Sequence, residues 1–177
     1  MKLDLMTGGL PLRSVQHLAR QAQDAGFSGL VITEAGRTAY LSCAAAALAA
    51  DIDILTGVAV AFPRSPMVTA QTAWELADVS GGRFRLGLGT QVRAHIERRY
   101  SCTFESPGPR MQDYVLAVRA CFDAFRTGTP LDHHGPFYDL SLLPAMWPPG
   151  PLPPPAPPID PAPGNRGIPR AAGQPAA

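Results

Sequence analysis

Residues 52–91 read IDILTGVAVAFPRSPMVTAQTAWELADVSGGRFRLGLGTQ. The opening run, Ile52–Val60, is apolar and of strand length, and a Pro-containing bend follows it. Ser65 is a candidate N-cap with Pro66 at the first helical position, where the missing N–H has no intrahelical partner to lose. The helix stops at Gly81-Gly82, and Phe84–Leu88 is a second apolar strand that leads into Gly89-Thr90-Gln91. Strand, helix, strand, with both strands mostly apolar, is the unit of a parallel sheet with right-handed crossovers. The small residues at the strand ends suit a rim that faces a ligand.

Working outward, the same alternation holds. Lys2–Met6 reads as a strand, and residues 12–25 carry Val15, Leu18, Ala19 and Ala22 at helical spacing, with Gly26 placed to end the helix. Ser28–Thr33 is a buried strand, residues 39–50 an Ala-rich helix, and Ile52–Val60 the third strand. After a connection over 91–109, Met111, Tyr114, Val115, Val118, Phe122 and Phe125 mark one face of an amphipathic helix. His134–Leu140 reads as a small extended excursion. The fold class is α/β, with parallel strands and flanking helices. Periodicity leaves open whether the sheet closes as a barrel or lies open and doubly wound.

Composition changes abruptly beyond this point. Eleven of the twenty prolines fall between Pro144 and Pro163, and after Leu152 the only large aliphatic residues are Ile159 and Ile168. Such a segment has little apolar surface to offset its ordering entropy. The expected division is therefore a folded domain over 1–146 and a disordered Pro-, Ala- and Gly-rich tail over 147–177.

Bulk properties narrow the function classes. A net charge of +1 gives no electrostatic case for nucleic acid or an anionic membrane. Cys43, Cys102 and Cys121 have no metal-ligand spacing, and the first and last of them read as core filler. The start, MKLDLMTGG, lacks an apolar signal region, and the apolar run Cys43–Ala50 is too short to span a bilayer, so a cytoplasmic location is expected.

In parallel α/β folds ligands sit at the carboxyl ends of the strands. Those ends are Thr7-Gly8-Gly9, Thr33-Glu34, Gly57 to Ala61, and Gly89-Thr90-Gln91. Glu34 is the one ionisable side chain among them, which makes it a candidate for anchoring or proton handling. The plainer alternative is that it pairs with Arg37 or caps the next helix. Gly87-Leu88-Gly89-Thr90-Gln91-Val92 fails a dinucleotide fingerprint at its last position and does not open the first strand–helix unit. His17 lies on a polar helix face, His133-His134 in a polar turn, and His95 among Arg93, Arg98 and Arg99 in the loop after the fourth strand.

Taken in order, SPMVTAQTAWELADVSGGRFRLGLGT (65–90), LARQAQDAGFSGLVITE (18–34), RMQDYVLAVRACFDAF (110–125) and the Gly-x-Phe-Tyr at Gly135–Tyr138 resemble the bacterial luciferase-like flavin and deazaflavin oxidoreductases. The resemblance covers roughly residues 1–145. It implies a (β/α)8 TIM barrel of which this chain supplies the N-terminal half, since a whole barrel takes about eight units over ~250 residues. It further implies coenzyme F420, or alternatively FMN, bound at the strand ends, and hydride transfer to or from a small organic substrate. The site it implies has a non-prolyl cis peptide at Gly57–Val58, continuing to Ala59, as a bulge behind the ring. Gly89, Thr90 and Gln91 are its cofactor-contacting loop, and Glu34 its acidic, catalytic position near the polar edge of the ring.

The family continues into a fifth strand and three further units where PAPPID stands at 155–160, so a frameshift or early stop near Asp160 is expected. A half barrel leaves sheet edges uncovered. The partners expected are a second copy of the chain or a separately encoded second half. The alternative function is a noncatalytic remnant that acts at most as a binding or assembly module.

Overall fold

The computed structural model describes residues 2–150 and 156–161. Along the chain run β1 (Asp4–Gly8), α1 (Leu12–Asp24), β2 (Gly29–Thr33), α2 (Ala39–Ala47), β3 (Asp53–Thr56), β4 (Ala59–Val60) and α3 (Pro66–Val79). They are followed by β5 (Phe84–Gly89), α4 (Arg93–Arg98), α5 (Pro107–Thr127), β6 (His133–His134), β7 (Asp139–Leu140) and β8 (Ile159–Pro161). β1, β2, β3 and β5 pair in that order and all in parallel. β4 joins the same edge of β5 that β3 uses lower down, and β8 takes the other edge. β6 and β7 form a separate antiparallel hairpin. This is the expected α/β architecture, the N-terminal half of a (β/α)8 barrel.

The local signals act as the sequence indicates. Ser65 Oγ accepts the Val68 N–H at 3.2 Å, capping α3 behind Pro66. Gly26, at φ 81°, ends α1 in the left-handed region that a side chain disfavours. The helices cover one face of the sheet. Leu30, Ile32, Ile54, Leu86 and Leu88 are at most 1% exposed beneath them. Trp74 of α3 meets Phe122 and Phe125 of α5 with ring centroids 5.9 and 5.4 Å apart. Cys43 and Cys121 are buried in this core.

Three expectations need correction. The third strand is not continuous over 52–60 but breaks into β3 and β4, because its backbone leaves the ladder at 57–58. The connection over 91–109 contains α4, anchored by a fully buried Ile96. The tail is ordered at 156–161, where β8 pairs with β5 and the Leu86 N–H donates to the Pro158 carbonyl at 2.9 Å. Backbone pairing with an open strand edge asks little apolar area of the added segment, and Ile159 supplies what there is at 9% exposed. Earlier in the same segment, Trp74 Nε1 donates to the Gly150 carbonyl at 3.0 Å. The rest of the expected tail, 151–155 and 162–177, lies outside the described residues. Among the described residues no helix is long and apolar enough to cross a membrane.

Candidate functional site

Because the strands are parallel, their carboxyl ends form one rim. Thr7 and Gly8 end β1, Thr33 ends β2 with Glu34 just after it, and Gly57–Val58 separate β3 from β4. Ala59 begins β4, and Gly89 ends β5 ahead of Thr90 and Gln91. The Gly57–Val58 peptide is cis. Gly57 and Val58 are half-buried, while Ala59 and Gly89 are buried beneath the rim. Thr33 Oγ1 donates to the Thr7 carbonyl at 3.3 Å, tying the first two strand ends together. Gln91 sits at φ 60°, and its Oε1 accepts the Val92 N–H at 3.0 Å. Thr90 Oγ1 donates to the Gln91 carbonyl at 3.1 Å, so side chains stabilise the turn that carries β5 into α4.

Glu34 is held on every side. Its Oε2 accepts the Val60 N–H at 2.7 Å and Arg64 Nη1 at 2.9 Å, and its Oε1 accepts Arg64 Nη2. The two side chains are 5% and 18% exposed. Arg64 also donates to the Val60 carbonyl at 2.8 Å, and its guanidinium lies 5.0 Å from the centroid of the Tyr40 ring. Burial opposes the Arg64 charge, but the hydrogen bond and charge of Glu34 outweigh it and hold the guanidinium above its ordinary value. The partner is thus Arg64, in the β4–α3 loop, and not Arg37, which is exposed. Nor does Glu34 cap α2, whose N-cap position is Thr38. A carboxylate with both oxygens engaged in charge-assisted bonds is suited to holding structure more than to moving protons.

Around this pair the helices supply hydroxyls. Tyr114 and Thr69 share a hydrogen bond, and the Tyr114 hydroxyl also donates to the Ser65 carbonyl at 3.3 Å. Burial pushes the Tyr40 and Tyr114 phenols upward, so both stay protonated.

The histidines separate. His95 is exposed on α4. His133 is no solvated turn residue, since its Nε2 lies 2.9 Å from Oδ1 of Asp113 and its side chain is 13% exposed. Asp113 went unremarked in the sequence. It stands on the buried side of α5, 4% exposed, and accepts the Phe137 and Tyr138 N–H groups at 2.8 and 2.9 Å. An acid flanked by Met111 and Tyr114 on an apolar helix face was the available signal. No group of three or more His, Cys, Asp or Glu among the described residues could hold a metal ion.

The donor set at the rim suits a flat, largely apolar ring. Its side chains are short and neutral, and its one charged pair is internally compensated. Gly57 is half-buried at the rim, where a Cβ would run into the Val31 side chain.

Residues 2–173 match the luciferase-like monooxygenase family. An uncharacterised protein of Mycobacterium tuberculosis is 39% identical over 164 residues, covering 89% of this chain and 46% of its own length. A second protein of that organism, provisionally named a coenzyme F420-dependent oxidoreductase, is 32% identical over 147 residues, covering 80% of this chain and 42% of its own. Among solved structures, an F420-dependent secondary alcohol dehydrogenase in complex with an F420–acetone adduct superposes with a TM-score of 0.73 at 15% identity, covering 89% of this chain and 51% of that one. The oxygenating constituent of 3,6-diketocamphane monooxygenase from Pseudomonas putida, in complex with FMN, does so with a TM-score of 0.66 at 17% identity, over 81% and 44%. The chain spans about half the length of the curated relatives it matches.

Proposed function

Since the chain belongs to the luciferase-like monooxygenase family, we propose that it forms the ring-binding half of an oxidoreductase site that takes coenzyme F420, with FMN as the alternative. The substrate class is a small organic molecule reduced or oxidised at one carbon centre. The observation that carries this reading is the rim itself, where the β3–β4 break and the Gly89–Gln91 turn flank a neutral, small-residue surface. The cofactor supplies the redox chemistry when bound. Gly57, Val58 and Ala59 back the ring, Gly89, Thr90 and Gln91 border it, and Glu34 stands behind them as part of the support. F420 is preferred because a relative and a structural neighbour carry it in their names, while FMN is carried by another neighbour. Further strand–helix units, beyond those that residues 1–177 supply, complete the barrel around the substrate.

Titration of the purified protein with oxidised coenzyme F420, and separately with FMN, tests the reading through cofactor fluorescence and anisotropy. Saturable binding, tighter for F420, is the expected outcome. Saturation with FMN alone moves the assignment to the alternative, and saturation with neither favours the noncatalytic remnant.

A further inference from the structure

The strand that breaks into β3 and β4 carries one residue more than its partner. Leu55 pairs with Arg85 and Ala59 with Leu88, so residues 56–58 stand opposite 86 and 87 alone. That is the count of a β-bulge. A bulge takes backbone groups out of the ladder, and where they are buried they require other partners.

Both edges of the bulge show such partners: Gly57 itself donates its N–H to the Ile32 carbonyl at 2.8 Å, and side chains hold backbone groups on either side of it. On the β5 edge, Gly87 is buried and donates its N–H to Thr56 Oγ1 at 2.8 Å. The same hydroxyl donates to the Gly87 carbonyl at 2.8 Å. A hydroxyl can do this because it is donor and acceptor at once. The contact needs glycine on β5, since a Cβ at 87 would run into the Thr56 carbonyl oxygen. On the β2 edge, the groups held this way are those of Val60, in β4 just past the bulge. Its N–H donates to Glu34 at 2.7 Å and its carbonyl accepts from Arg64 at 2.8 Å. β2 has ended at Thr33, so the ion pair stands where a further rung from its backbone would be.

We infer that Thr56 on one edge and the Glu34–Arg64 pair on the other are side-chain rungs that fix the position of the bulged 57–58 segment, and so are positioning residues for the cofactor ring. The inference rests on the cofactor reading above. Thr56, at 3% exposed, lies under the rim and acts through the backbone it holds. Glu34 and Arg64 likewise act through Val60.

The test compares wild type with Thr56→Val, which keeps the shape and loses the hydroxyl, and Thr56→Ser, which restores it. Three readouts are taken on the full chain: amide exchange at Gly87 without cofactor, affinity for F420 and FMN, and the visible circular dichroism of the bound ring. Thr56→Val is expected to speed exchange at Gly87, weaken binding about tenfold and change the dichroic band, and Thr56→Ser to stay within about twofold of wild type. Arg64→Lys, which loses the two-pronged contact, is expected to give the same loss and serves if Thr56→Val does not fold. A folded Thr56→Val that binds with wild-type affinity and an unchanged band overturns the inference while the cofactor reading stands. A wild type that binds neither cofactor removes both.

Discussion

The two faces of the same sheet are built differently. Toward the helices, Leu30, Ile32, Ile54, Leu86 and Leu88 are almost wholly buried. On the other face of the same sheet Met6 is 65% exposed, Val31 and Leu55 are half-buried, and Arg85 is exposed. Salt bridges run along that second face, Lys2 to Asp53 at 3.0 Å and Arg85 to Asp160 at 2.8 Å. Side chains of successive residues point to opposite faces, so the apolar content of the strands serves two surfaces. The helices of this chain cover one of them. The other is the surface that a closed barrel fills with inward-pointing side chains. Stability of the described structure therefore rests on the helix side.

The sharpest way to break that contrast is a pair of truncations. Leu86→Ala should cost about 2–5 kcal/mol, whereas Met6→Ala should stay within about 0.5 kcal/mol, both read from urea unfolding. Similar losses would mean that the open face is buried in solution. Next in size is Asp113→Ala, also on the helix side. It leaves the Phe137 and Tyr138 N–H groups without their acceptor and should cost about 2–3 kcal/mol, with faster amide exchange confined to the β6–β7 hairpin. Unchanged exchange there would show that the hairpin docks without Asp113. The smallest effect is expected on the open face. Arg85→Ala removes a pair whose side chains are 46% and 44% exposed, so about 0.5 kcal/mol or less is at stake, and it should fade at high salt. A larger, salt-insensitive loss would show β8 to be held by that pair and not by its backbone.

Most of the fold was legible because its signals are local. Ser65-Pro66 opens α3, Gly26 ends α1, and the apolar spacing from Met111 to Phe125 defines α5, each acting within a few residues. The break at 57–58 was legible only through the family resemblance. Ile52–Val60 has no local signal that separates it from an unbroken strand, although Gly57 lies within it. The strand at 159–161 was hidden for the opposite reason. Its residues look unfit for a sheet, and what orders them is the edge that β5 offers.

The candidate site divides in the same way. That Glu34, Gly57 and Gly89 share one rim follows from the order of strands along the chain, since parallel strands put all their carboxyl ends together. What each does there was settled by packing. Glu34 and Arg64 are 30 residues apart, and Thr56 and Gly87 are 31 apart. Composition and periodicity carry no signal for such pairs, because the contact exists only once β2, β4 and β5 lie side by side. Hydrophobic period and end signals along the chain set which segments become strands and helices. The tertiary structure alone decided that a lone acid at a strand end would become a buried partner for a distant arginine, because unpaired backbone groups and charges in a packed rim must find each other.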